Sequence, residues 1–177
     1  MKREGLAEAA TKAGITLVAC LYGRVSNDSA GDRQSVGEQD IANKRACVDK
    51  KWKVGGNYAD NDKSASRFAR TGRPGWDQLI EDLAEGRYHI LILWEASRGD
   101  RRLDGWVRLL NLCREMGIWI HITSHGHTYD VRKRREYKTL AEEGLDSSDE
   151  SEKVSGRVQR SAARAYAAVG GHTPVVS

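Results

Sequence analysis

"YHILILWE", residues 88–95, decides the architecture of this chain. It is the strongest strand signal present, a continuous aliphatic run too short for a helix, bounded by "EGR" and "ASRGDRR". Just upstream, Pro74 marks the first turn of a helix whose apolar stripe is Trp76, Leu79, Ile80 and Leu83, with Gly86 closing it. Just downstream, Leu103, Trp106, Val107, Leu110 and Cys113 recur at helical spacing, and "MG" ends that helix. "IWIHITS", residues 118–124, then reads as another strand. Further out lies "TLVACLY", Thr16–Tyr22, nearly continuous in apolar residues as a strand covered on both faces would be. "KVGGNYAD", ending near Asp60, is a weaker strand. Between these two, Ser35 with Glu38 forms a capping box, and a helix to about Trp52 is expected to turn Ile41, Val48 and Trp52 inward. Strand and helix alternate through four strands, which predicts right-handed crossovers and a mostly parallel sheet with helices on both faces.

The ends of the chain differ from this middle. Residues 1–14 are rich in Ala, Lys and Glu and read as a loose helix or a frayed tail. After Ser124 the sequence becomes polar and highly charged, with a helix of thin apolar content expected over Val131–Glu143. A second helical stretch, from Asp149 to about Val169, carries only the narrow stripe Val154, Val158, Ala162, Ala165 and Val169. So narrow a stripe suits packing on a partner subunit better than packing on the sheet. "GGHTPVVS" reads as a disordered tail. The expected division is a tail over 1–14, a catalytic domain over 15–145, a long helix over 146–170 and a tail over 171–177.

The 177 residues suit one domain with room for an appendage. With 31% charged residues and 39% hydrophobic, part of the chain is expected outside a packed core. A net charge of +4 permits a polyanionic partner without requiring one. Cys20, Cys47 and Cys113 have neither metal-ligand spacing nor the pattern of a disulfide framework. Each sits in an apolar run and reads as a buried small hydrophobe, in a protein of the reducing cytoplasm. No apolar run approaches a membrane span.

In an open parallel sheet, function gathers beyond the carboxyl ends of the strands. The residues expected there are Tyr22, Arg24 and Ser26 after the first strand, and Asp60, Asp62, Arg67, Arg70 and Arg73 after the second. Glu95, Ser97, Arg98 and Arg101 follow the third, and Ser124, His125 and His127 the fourth. At the strand period of two, Arg24 and Ser26 leave the same face. One hydroxyl among several arginines points to a phosphate, because guanidinium groups match phosphate geometry and stabilise charge on a pentacoordinate phosphorus. A single R-x-S triplet is commonly structural, and loop arginines are commonly solvated. Their arrival at three strand ends of one sheet is what carries the reading. No P-loop or dinucleotide-binding glycine pattern is present. His125 and His127 with a carboxylate form a weaker metal-site alternative, while His121 reads as a satisfied histidine within its strand.

These motifs resemble a known family. "LYGRVSND" with "RQSVGEQ", "YADNDKSAS", and "GRPGWDQLIEDLAEGRYHILILWEASRGDRRL" are similar, in order, to serine site-specific recombinases of the resolvase and invertase superfamily. They look most like the large serine integrases of actinobacteria and their phages, over about residues 16–170. The resemblance implies a three-layer α/β fold with a mostly parallel central sheet of four to five strands, followed by a long C-terminal helix. It implies that Ser26 is the nucleophile forming a 5′-phosphoseryl bond to DNA, with Arg24, Arg73 and Arg98 on the scissile phosphate. Tyr22 and Gln39 would support the site, and Arg157 and Arg160 would lie near DNA. Implied partners are double-stranded DNA attachment sites and a homodimer that becomes a tetramer in synapsis. Neither metal nor other cofactor is implied, and the setting is the cytoplasm, at the nucleoid.

Two departures stand out. The family commonly carries Asp-Arg four and three residues before the position of Arg98, where this chain has Trp94 and Glu95. Arg101, Arg102 or Glu95 would then take over protonation of the leaving oxygen, and Asp60 or Asp62 would support the arginines. The sequence also stops just past the long helix, as an excised catalytic domain or a truncated product would. A non-catalytic dimerising fragment and an unrelated phosphate-binding α/β domain are the alternative readings.

Overall fold

The computed structural model describes residues 4–25, 36–61, 73–96 and 103–146. Ser26, Ser35, Asp62, Arg67, Arg70, Ser97, Arg98, Arg101, Arg102, Arg157 and Arg160, together with the whole 149–169 stretch, lie outside the described residues. The elements in chain order are α1 (Leu6–Lys12), β1 (Val18–Val25), α2 (Val36–Asp49), β2 (Lys53–Asn61), α3 (Pro74–Ala84), β3 (Ile90–Leu93), α4 (Leu103–Met116), β4 (Trp119–Ile122), a short 3-10 turn (Thr123–His125) and β5 (His127–Tyr129). A further helix, α5, covers 134–146.

The five strands form one sheet in the order β2-β1-β3-β4-β5. The run that opened the sequence reading is therefore the central strand, and all four residues of β3 are fully buried. β2, β1, β3 and β4 are parallel, as the helical crossovers require, and β5 returns antiparallel to β4. Gly126, at φ 61°, sits in the turn that makes this return and adopts a left-handed backbone at no steric cost. The β5 hairpin was not expected as a separate strand, because three residues are too few to show a period.

Alternation along the strands divides the core between the two faces. Cys20, Tyr22, Leu91, Leu93, Ile120 and Ile122 face α3 and α4, where Trp76, Leu79, Leu83, Trp106, Leu110 and Cys113 meet them. Ala19, Leu21, Ile90 and Ile92 face the other way, onto Ala10 of α1 and Cys47 of α2. All three cysteines are buried and free, as expected. Burial pushes the thiols up, Cys113 and Cys47 to about 12 and about 11, so they stay protonated.

Two expectations need correction. Residues 6–12 are a packed helix rather than a frayed one. Ala7 is fully buried, its backbone N–H donates to the Gly117 carbonyl, and any side chain on Gly117 would collide with Gly5. α2 does not turn Ile41 and Val48 inward: these are 68% and 76% exposed, and its buried residues are Gln39, Asn43 and Cys47. The Asn43 carboxamide oxygen accepts from the Thr123 hydroxyl at 2.7 Å, so a polar tie takes the place of an apolar stripe. The helix of thin apolar content expected over Val131–Glu143 is found over 134–146 and packs on the core. Leu140 is fully buried, and the Trp106 indole N–H donates to its carbonyl at 2.8 Å. Gly144 lies so close over that indole that an added Cβ would stand 2.1 Å from it. A missing side chain contributes nothing to a hydrophobic pattern, although it permits the close approach.

Candidate active site

The described site is built where β1 and β2 end beside the start of α3. Arg24 and Asp60 are partners in the β1–β2 register, and Tyr22 lies two residues earlier on the same face as Arg24. Asp60 is buried. Its Oδ1 accepts from the Gly75 N–H and its Oδ2 from the Trp76 N–H, each at 2.8 Å. It therefore satisfies two of the donors that a helix start leaves open, from outside the helix. The same Oδ2 accepts from the Tyr22 hydroxyl at 2.9 Å. Arg73 in turn donates from Nη2 to the Tyr22 oxygen at 2.8 Å.

Carboxylate, phenol and guanidinium thus form one chain of hydrogen bonds. Burial is the larger influence on Tyr22 and raises its pKa well above the ordinary phenol range, with Arg73 opposing. The phenol is neutral at any working pH, so it can donate to Asp60 while accepting from Arg73. Trp76 closes the group. The Arg73 guanidinium carbon lies 4.3 Å from the Trp76 ring centroid and 5.5 Å from that of Tyr22, and the two rings meet edge to face at 5.0 Å.

The remaining expected residues fall as follows. Gln39 is fully buried on the inner face of α2, across the sheet from α3. Glu95 is half-buried, two residues past Leu93, the end of β3, which pairs with Tyr22. Arg24 is half-buried. Of the expected residues, Tyr22, Arg24, Asp60 and Arg73 are thus brought together at adjacent strand ends. A cleft of about 300 Å³ opens between α2 and the carboxyl halves of β1 and β2, lined in part by Gly23, Gly37, Asp40 and Asn57. Asp40 accepts from Asn57 at 2.7 Å and from Lys44 at 2.6 Å, tying the start of α2 to β2.

The histidines stand elsewhere. His125 Nδ1 is 3.1 Å from the Tyr129 hydroxyl, and the His127 ring packs on Tyr129. No cluster of three potential metal ligands occurs among the described residues. His121 is a satisfied histidine within its strand, as read; it is buried, with Nδ1 at 2.9 Å from the Thr128 hydroxyl.

Two features escaped the sequence reading. Trp76 reads there as one member of an apolar stripe, and nothing in the pattern shows that its ring also carries a guanidinium. Asp82 interrupts the same stripe between Leu79 and Leu83, which is a signal. It is buried, accepts from the Tyr58 hydroxyl, and Tyr58 lies 2.6 Å from the Tyr88 hydroxyl. The Tyr58 bond, chiefly, holds the Asp82 carboxyl below its usual range. Asp60 and Asp82 therefore tie α3 to β2 at both ends of the helix.

No curated protein sequence matches the chain. The fold is similar to the N-terminal catalytic domain of TP901-1 integrase, with a TM-score of 0.56 at 18% identity over 76% of this chain and 97% of that one. It is also similar to a resolvase-family site-specific recombinase from Streptococcus pneumoniae, with a TM-score of 0.59 at 19% identity over 86% and 99%. Both are likenesses of fold. The family model for the resolvase N-terminal domain matches residues 19–171, most of the chain. That match excludes the unrelated phosphate-binding domain left open by the sequence motifs alone. The chain belongs to the resolvase N-terminal domain family, the catalytic domain of site-specific recombinases.

Proposed function

We propose that this domain cleaves and rejoins DNA through Ser26. The observation that carries the reading is the Asp60–Tyr22–Arg73 chain at the end of β1, the strand that leads through Arg24 to Ser26. In the cleavage step the Ser26 oxygen forms a bond to the scissile phosphorus as the bond to the 3′ oxygen breaks. The serine proton is lost, a proton is delivered to the leaving 3′ oxygen, and the products are a 5′-phosphoseryl link and a free 3′ hydroxyl. Arg24, Arg73 and Arg98 stabilise the charge that builds on phosphorus. Rejoining reverses the step with a new 3′ hydroxyl. The phosphodiester energy is retained in the serine ester, so the cycle needs no ATP.

Trp94 and Glu95 stand where the family commonly has Asp-Arg, so proton delivery falls to Glu95 or Arg101 in this reading. Double-stranded DNA is the substrate, two dimers synapse two sites, and the 149–169 stretch with Arg157 and Arg160 lies at the subunit and DNA contacts. The Trp94–Glu95 replacement also favours a second reading, in which the chain dimerises with an intact recombinase and does not cut.

A nicked suicide duplex, incubated with wild type and Ser26→Ala and resolved on a denaturing gel, separates the two. The catalytic reading expects a covalent adduct with wild type and none with Ser26→Ala. An adduct that survives Ser26→Ala removes Ser26 from its role, and no adduct with either protein favours the non-cutting fragment.

A further inference from the structure

Arg73 works against its own helix. It occupies the N-cap of α3, with φ −145° and ψ 66° and no side-chain cap of its own. A helix start favours Ser, Thr, Asp or Asn at this place and disfavours a cation, because the exposed N–H groups carry partial positive charge. The structure compensates from outside, since Asp60 on β2 caps the Gly75 and Trp76 N–H groups. Pro74 keeps Arg73 out of the helical backbone region, and the Arg73 side chain lies over residue 76, three positions on. There the guanidinium lies 4.3 Å from the centroid of the ring of Trp76, a residue only 6% exposed that packs against Tyr22 and the core. Local rules broken together at one residue, with compensation built around it, mark a group that is being held for a purpose.

We infer that Trp76 is a positioning residue for Arg73. Its indole face and the Tyr22 hydroxyl fix the guanidinium in two directions, one by stacking and one by a directed hydrogen bond. A planar guanidinium grips phosphate only when its plane is set, and free rotation of a long side chain would otherwise have to be frozen at each encounter. Asp60 secures both supports at once, through the Tyr22 hydroxyl and the Trp76 N–H. The inference rests on the reading of Arg73 as a phosphate ligand, and it adds the residue that orients it.

The test uses the full chain and inorganic phosphate as probe. Arginine Nε–H resonances are recorded by 1H–15N NMR for wild type, Trp76→Phe, Trp76→Leu and Arg73→Lys, with near-ultraviolet circular dichroism to confirm folding. One resonance, absent in Arg73→Lys, is expected upfield from the ring current of Trp76. Trp76→Leu returns it to the position of solvated arginines, and Trp76→Phe retains part of the shift. Phosphate moves this resonance in wild type, and Trp76→Leu weakens the apparent affinity about tenfold while Trp76→Phe weakens it less than threefold. Phosphate binding that Arg73→Lys weakens and Trp76→Leu leaves unchanged overturns the positioning role alone. Phosphate binding that Arg73→Lys leaves unchanged overturns the phosphate role of Arg73, and the positioning role with it. If Trp76→Leu does not fold, the Trp76→Phe resonance decides: an unshifted wild-type position there overturns the inference.

Discussion

α2 and α3 each follow a strand of the parallel sheet and cover opposite faces of it, yet they obey different rules. α3 buries the residues its apolar period selects, Trp76, Leu79 and Leu83. α2 buries Gln39 and Asn43 with Cys47 and leaves Ile41 and Val48 in the open. The contrast shows what an apolar period measures. It measures which side of a helix is dry, and the inner side of α2 is occupied by polar ties to the Thr123 turn and to β2. Two of its outward residues are apolar, so its outer side is no guide to its inner one.

The comparison breaks most sharply on a deletion. Leu79→Ala removes a fully buried side chain from the dry face and is expected to cost about 2–5 kcal/mol, read as a lowered urea midpoint. A loss under about 1 kcal/mol would show that α3 is not packed as described.

The next effect belongs to the α2 face alone. His121 projects there from β4, where its ring packs on Trp52 and pairs with Thr128. Burial, with smaller contributions from Lys50 and His127, lowers its pKa to about 4. The unfolded chain binds this proton near pH 6.5, so between pH 6.5 and 4 the unfolded state holds more protons. Stability from this group is fully present above pH 6.5 and is lost as pH falls toward 4, a change on the order of 2–3 kcal/mol. Chemical denaturation of wild type and His121→Asn across this range checks it. The variant should give the flatter profile, and parallel profiles would sink the assignment.

The smallest effect sharpens the contrast from the other side. Ile41→Ser and Val48→Ser should each change monomer stability by no more than about 0.5 kcal/mol, because both side chains stay mostly in water on folding. A loss comparable to that of Leu79→Ala would mean that α2 lies the other way round.

Much of the site was legible for the same reason that α3 was. Strand ends of a parallel sheet converge, so Tyr22, Arg24, Asp60 and Arg73 could be grouped from their places after β1 and β2. The partners of those residues were not legible. That Asp60 caps α3 while accepting from Tyr22 depends on how α3 is angled over β2. No local pattern encodes that angle.

By itself the sequence determined the succession of strands and helices, the both-face burial of β1, and the gathering of Tyr22, Arg24, Asp60 and Arg73 where β1 and β2 end. These follow from short-range periodicity, which the chain carries in full. Only the tertiary structure decided which side of α2 faces the sheet, that β5 turns back antiparallel, that Gly144 seats α5 on Trp106, and that a tryptophan of the core also holds an arginine of the site. In each of them a fit of shape or a single hydrogen bond outweighs local preference, and for α2 and α5 the deciding contacts, Asn43 with Thr123 and Trp106 with Leu140, join residues far apart in the chain.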